Sequence, residues 1–280
     1  MSISSFEDRT FGELSADVWL RAIQNAKKKN KAVQPTTAIV PTGSSPQPMR
    51  EALRSEAYLE KAQKIVQGVA FFTMDDYAYR DANDGVIRVL PMDDPRSYAA
   101  EHKRELFDPL GVDESLRFYF EPAANAQSEA DRLEAIMRED VVKTSVLLGS
   151  MGEYDGHIAF HLPGVPANTG AHVGERSDDI DKQNSGHCGD LGTPTHFVTH
   201  GARTFMNANE AIFLANNRKI DILKEAILAQ KQTIDLPITL CLHNPNQTVK
   251  IVADRALGEA LTSVRSHIPR NVSVYAAQLT

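Results

Sequence analysis

Residues 36–46 read Thr36-Thr37-Ala38-Ile39-Val40-Pro41-Thr42-Gly43-Ser44-Ser45-Pro46. Thr36 to Val40 predicts a short buried strand that Pro41 cuts off, and Thr42 to Pro46 predicts a loop. Met49 to Leu59 then resumes a helical pattern, so the stretch is the opening of an α/β unit. The outline recurs along the chain. Val69 to Met74 predicts an apolar strand running into an acidic turn at Asp75-Asp76, and Thr144 to Leu148 a strand running into Gly149. Ala211 to Ala215 and Lys250 to Ala253 predict two more strands. Helical patterns cover Phe11 to Lys29, Ser97 to Leu106, Ser128 to Arg138 and Lys219 to Ala229, and a closing helix starts at Ala256. Short apolar strands alternating with helices imply a three-layer α/β architecture, a mostly parallel sheet with helices on both faces. Pro163 to Pro194 is rich in Gly, Asp, Ser, Asn and His and lacks periodicity, which predicts an inserted lid of irregular structure. No linker divides the chain, so residues 1–280 are expected to form a single domain.

Composition narrows the function. With 280 residues, 42% hydrophobic and 24% charged, the chain can bury one large core and is ordinary for a globular protein. A net charge of -7 argues against a nucleic-acid surface but not against a small anionic substrate held in a locally positive pocket. Cys188 and Cys241 are far apart and form no CxxC pair, so no disulfide framework is expected and a reducing cytoplasm is the simplest compartment. Met1 to Glu13 lacks the apolar core of a secretory signal, and no apolar run is long enough to span a bilayer. The expectation is a soluble cytoplasmic protein without membrane or nucleic-acid partners.

Three predicted strand ends empty into polar or glycine-rich residues, and in open α/β sheets ligands bind outside the carboxyl ends of strands. Thr42-Gly43-Ser44-Ser45 offers hydroxyls and backbone N–H groups just before a helix, which suits a phosphate. The same residues also suit a plain turn with a Ser N-cap. Asp75 and Asp76 follow an apolar strand, and alternation lets one of them face a pocket, where a carboxylate of raised pKa can act as a general base. On the residues alone, a solvated turn or a helix cap is the favoured reading of that pair. In Gly149 to His157, Asp155 and His157 flank Gly156, so a carboxylate can fix the tautomer of an imidazole and raise its basicity. The alternative is a turn whose Asp and His satisfy backbone groups. His172, His187, His196 and His200 lack the helical register of a zinc site, so no metal is expected.

Read together and in order, these segments resemble the glucosamine-6-phosphate deaminase/6-phosphogluconolactonase superfamily. Pro41 to Pro46 is similar to its phosphate loop, Phe72 to Tyr77 to its N-M-D-E-Y segment, and Pro95 to Tyr98 with Phe107-Asp108 to its P-x-S-Y stretch. Asp155 to Phe160 matches its D-G-H-I-A-F core, and Leu236 to His243 with Val252 to Asp254 resembles its closing motifs. The resemblance implies a modified Rossmann-like architecture and a sugar-phosphate substrate, with no metal or organic cofactor. It implies that Thr42, Gly43, Ser44 and Ser45 cradle the phosphate and that Asp75 moves a proton between C2 and C1. It also implies that His157 opens the sugar ring with Asp155 behind it. A late lysine that meets the phosphate maps to Lys219, with Arg218 as the rival in an ungapped reading. Asp76, Gly156 and Arg203 are further candidates for substrate contact.

The chain also departs from the pattern. Leu162 stands where deaminases carry a glutamate five residues after the histidine, with His161 beside it. Leu162-Pro163-Gly164 is closer to the F-P-G of the lactonase branch, whereas Tyr77 stands where that branch has arginine. The expected activity is therefore aldose–ketose isomerisation with deamination of an amino-sugar 6-phosphate. The alternatives are a 6-phosphogluconolactonase-like hydrolase and a non-catalytic sugar-phosphate sensor. A homo-oligomer is allowed for.

Overall fold

The computed structural model describes residues 3–30, 35–138 and 143–278. The chain begins with β1 (Ile3–Glu7), α1 (Phe11–Lys29), β2 (Thr36–Val40), α2 (Gln47–Arg54), α3 (Leu59–Val66) and β3 (Val69–Thr73). It continues through β4 (Asp75–Arg80), β5 (Ile87–Val89), α4 (Tyr98–His102), α5 (Asp108–Leu110), β6 (Arg117–Phe118), α6 (Ala126–Arg138) and β7 (Val146–Gly149). Next come β8 (His172–Glu175), α7 (Asp178–Cys188), β9 (His196–Thr199), α8 (Ala202–Met206) and β10 (Glu210–Ala215). The chain closes with α9 (Ile220–Leu228), α10 (Ile238–Leu242), β11 (Thr248–Ala253), α11 (Arg255–Leu261) and β12 (Val272–Ala277).

Eight strands form one sheet in the order β1-β12-β11-β10-β7-β2-β3-β6, and every neighbouring pair is parallel. The strands are apolar throughout because both faces are covered. In β2, Ile39 packs on one side with Phe72, Leu147, Phe213 and residues of α6, α9 and α11. Its neighbours Ala38 and Val40 pack on the other side with Phe71, Leu148, Leu214 and residues of α1, α2 and α3. That two-residue alternation between two cores is the expected three-layer architecture. Helix α1 is set by its ends: Thr10 and Glu13 form a reciprocal capping box, and Lys27, Lys28 and Lys29 lie at the negative end of the dipole. From β2 the chain moves outward to β3 and β6, then returns to the opposite side of β2 at β7. The point where strand order reverses therefore lies between β2 and β7.

A second sheet, in the order β5-β4-β9-β8, is wholly antiparallel. It differs from the sequence expectation in two places. Asp75-Asp76 is the start of a strand and not a turn: Asp75 pairs with Thr199 and Asp76 with Val198. Residues 163–194, expected to be irregular, contain β8 and α7. The short β8 has mixed polarity, and its Gly174 packs under the Phe197 ring where a side chain would collide. One residue, Met74, joins the two sheets. Its N–H donates to Val40 O at 3.0 Å, and its carbonyl accepts from His200 N at 3.1 Å. A small core of Tyr77, Leu90, Tyr98, Phe160, Ile180, Cys188 and Phe197 fills the space between β4, β9 and α7. Two helical readings also shift: the pattern from Met49 to Leu59 is broken after Arg54, and α4 passes into a π turn at Lys103–Phe107.

Candidate active site

Loops after β2, β7 and β10, together with Met74 and Asp75 beyond β3, surround one cleft at the carboxyl edge of the large sheet. It encloses about 730 Å³ of atom-free space, part of it open to solvent. Thr42, Gly43, Ser44 and Ser45 form one wall, at the turn from β2 into α2. Pro46 and Pro48 lead into α2 without a side-chain cap. The buried Arg50 steadies this wall by donating to Pro41 O at 2.8 Å and pairing with Glu101.

Asp75 enters from the opposite side. Its carboxyl is buried and raised well above the usual carboxylate range, first by burial and then by the charges of Asp76 and Glu101. Asp76 points the other way. Its oxygens accept from the N–H groups of Tyr77 at 2.8 Å, Tyr98 at 2.9 Å and Ala99 at 2.8 Å, which ties β4 to the start of α4. Burial lifts its pKa to about 7 against the pull of those bonds.

Gly152 to His157 makes a tight turn beyond β7, closed by a 2.8 Å bond from Gly152 N to His157 O. His157 Nδ1 lies 2.6 Å from Asp155 Oδ1. Burial pushes the Asp155 carboxyl up, but the hydrogen bond and charge of His157 outweigh it and hold the pKa below the ordinary value. When the ring is neutral, an ionised Asp155 holds the proton on Nδ1 and leaves Nε2 as the acceptor, with His157 in the cleft wall. Lys219, at the turn beyond β10, is buried, and its Nζ reaches Ser45 Oγ at 3.0 Å, Met151 O at 2.6 Å and Ser150 Oγ. Burial lowers its pKa to about 8.

The fold thus brings Thr42, Gly43, Ser44, Ser45, Asp75, His157, Arg218 and Lys219 to one cleft, with Asp155 directly behind His157. Three expected contacts lie elsewhere. Asp76 is turned into the N-terminus of α4. Gly156 packs under Leu236 and Ile238, where its φ of +66° and the lack of space exclude a side chain. Arg203 pairs with Glu134, whose other oxygen accepts from Ala171 N at 2.7 Å, so it braces the approach to β8. Leu162 packs on the Tyr77–Phe160 core behind the site. His161 is buried beside His172, and burial lowers its pKa to about 4.

Tyr98, Ser150, Glu153, Phe160, Gln183 and Asn216 also line the cleft without having been singled out as site residues. Ser150 and Asn216 each follow the last residue of a strand, so the strand-end rule that found Thr42 reaches them too. Gln183 arrives on α7 and has no local signal. Among the described residues, no group of three or more His, Cys, Asp or Glu side chains is placed to hold a metal ion, and no helix is long and apolar enough to cross a membrane.

A raised carboxyl, an Asp–His pair and an uncapped helix start are gathered at the switch point of a parallel sheet, where open α/β folds bind their ligands. A sequence profile of the family described as glucosamine-6-phosphate isomerases/6-phosphogluconolactonase matches residues 10–250, and the chain belongs to that family. Its relatives there are enzymes. A glucosamine-6-phosphate deaminase of Halalkalibacterium halodurans is 28% identical over 251 residues, spanning 89% of this chain and 94% of its own. Solved structures share the fold. A monomeric glucosamine-6-phosphate deaminase superposes with a TM-score of 0.74 at 19% identity, covering 91% of this chain and 98% of its own. The 6-phosphogluconolactonase of Trypanosoma brucei gives 0.66 at 18% identity, covering 92% and 98%.

Proposed function

We propose that the protein is a glucosamine-6-phosphate deaminase-like enzyme that isomerises an amino-sugar 6-phosphate and releases ammonia. The observation that carries this reading is that Asp75 and the Asp155-backed His157 face the same cleft as the Thr42–Ser45 loop. A phosphate on that loop, with the charge of Lys219 behind it, fixes one end of the open-chain sugar. His157, with its acceptor at Nε2, handles the proton exchanged when the ring opens. The Asp75 carboxyl takes the proton from C2 and returns it at C1, and its raised pKa suits a group that must act as base and then acid near neutral pH. Water then replaces the amine at C2, giving a ketose phosphate and ammonia. Holding the chain by its phosphate supplies the orientation that makes the transfer fast. The relatives' names and the profile match support the reading.

The Leu162 side chain favours a second reading. It stands with apolar packing where deaminases carry a glutamate, so that position supplies no third acid to the Asp155–His157 pair. A lactonase would need only that pair, to activate water. Incubation with glucosamine 6-phosphate, with ammonia and ketose measured, tests the first reading, and release of neither sinks it. Replacement separates the two. Asp75→Asn is expected to lower kcat about 10²–10⁴-fold in a deaminase. In a lactonase the same change is expected to cost less than His157→Asn.

A further inference from the structure

An ion pair is buried directly behind the cleft wall. The guanidinium of Arg50 on α2 donates to Pro41 O at 2.8 Å and pairs with Glu101 of α4, whose side chain is largely buried. Neither residue is in the wall itself. Taking two charges out of water can cost as much as their attraction returns, so such a pair is weak evidence for stability. Its surroundings give it another task. Asp76 accepts from the N–H groups of Tyr98 and Ala99, and Ser97 from that of Ala100, which fixes the first turn of α4 against β4. Tyr98 and Glu101 are three residues apart on that turn and share a face. Tyr98 lines the cleft with Asp75, and the charge of Glu101 acts on Asp75, on Asp76 and on the Tyr98 hydroxyl. Three carboxyl groups from β4 and α4 therefore meet in one buried region, with the Arg50 guanidinium at its edge.

Resting on the reading above, in which Asp75 moves the proton, we infer that Glu101 is a positioning residue that acts on Asp75 through its negative charge, and that Arg50 holds Glu101 in place. A like charge nearby makes a carboxylate harder to form and readier to take a proton. Its effect depends on distance, and Arg50 fixes that distance by tying α4 to Pro41, the first residue beyond β2. The other ionisable groups around Asp75 are Asp76 on its own strand, Tyr98 on α4, and, across the cleft, His157, Glu153, Arg218 and Lys219. Arg50 also acts on His102, whose ring is kept neutral first by burial and then by that guanidinium. One turn further along, Arg54 and Glu105 repeat the pair at a more exposed level.

The pH profile of ammonia release from glucosamine 6-phosphate by the full chain tests this. Asp75 serves as base when ionised, so the acidic limb of kcat/KM follows its titration. Glu101→Gln keeps the shape and removes the charge. It is expected to move that limb about one pH unit lower, with KM at the plateau little changed. Glu101→Asp, which keeps the charge on a shorter arm, should move it less. A glutamate that only supports the fold would lower kcat and leave the limb in place, and that result overturns the inference while the sugar-phosphate reading stands. Where Glu101→Gln does not fold, Arg50→Met combined with Glu101→Leu strands neither charge and should show the same downward movement. A wild type that releases no ammonia overturns the reading of the reaction and leaves the electrostatics to a second measurement. Carbon-13 NMR of labelled aspartate, with Asp75→Asn to assign the signal, follows the Asp75 titration without substrate. A midpoint that Glu101→Gln does not lower overturns the inference.

Discussion

A methyl group added to Gly152 would lie 2.3 Å from Asp155 Oδ1 and 2.4 Å from His157 Nδ1. The Asp155–His157 pair is therefore held against a bare backbone, and the missing side chain is as necessary to its geometry as the two that are present. Gly152→Ala should push the carboxylate and imidazole apart and lower kcat on the order of 10²-fold, the scale of a misplacement near 1 Å. Steady-state kinetics, with circular dichroism to verify the fold, measure this. At this scale much of the site was legible: Asp75, Asp155, His157 and the Thr42–Ser45 loop sit at strand ends and converge as the strand-end rule implies. Asp76 and Arg203 were misjudged for a common reason. A charged residue beside a motif suggests a ligand, and the sequence does not show that α4's N–H groups and Glu134 lie where these charges point.

Five strands of the large sheet, β2, β3, β7, β10 and β11, were legible, because apolar runs such as Phe71-Phe72 and Val146 to Leu148 have no other home, whereas its edge strands β1 and β6 and the strand β12 beside β1 were not read from the sequence. The second sheet was hidden. Its strands are short, β8 is half polar, and β4 opens with two acids, which strands usually avoid. Helix α7 was hidden as well, although it brings Gln183 to the cleft. Gln183 Oε1 accepts from Glu153 N at 3.0 Å, which fixes the amide so that its NH₂ group is the free end. On the proposed reading that group donates to a sugar oxygen. Gln183→Ala should raise KM for the sugar phosphate about fivefold to tenfold, the scale of one hydrogen bond, and leave the affinity for inorganic phosphate unchanged. Equal losses for both ligands would remove this role.

Across the whole molecule, buried ionisable groups set two opposing pH dependences. His200 lies between Phe120 and Phe72, and neither ring nitrogen has a partner among the described residues. Burial, then the charge of His172, brings its pKa down to about 3 from an ordinary 6.5. Below pH 6.5 the unfolded chain gains a proton that the folded chain refuses, so stability is lost as pH falls toward 3. Burial acts on His102 and His161 in the same direction. Asp76 acts oppositely: its folded pKa of about 7 exceeds that of the unfolded chain, so its contribution falls as pH climbs from the ordinary carboxylate range toward 7. His200→Phe should keep its urea midpoint better than the wild type between pH 6.5 and 4, and an unchanged slope would show that His200 is not the sensitive group.

Between β3 and β4 a single residue, Met74, links the two sheets, clamped from both sides by Val40 and His200. The arrangement works like a vice. The fixed jaw is the large sheet with the Thr42–Ser45 loop and Lys219, and the other jaw is the small sheet that starts at Asp75 and leads through β8 to Gln183. On the proposed reading, the partly exposed positions of β8 and α7 are the ones to vary in a directed-evolution library to retune which sugar is accepted, while the anchorage for its charged tail stays untouched.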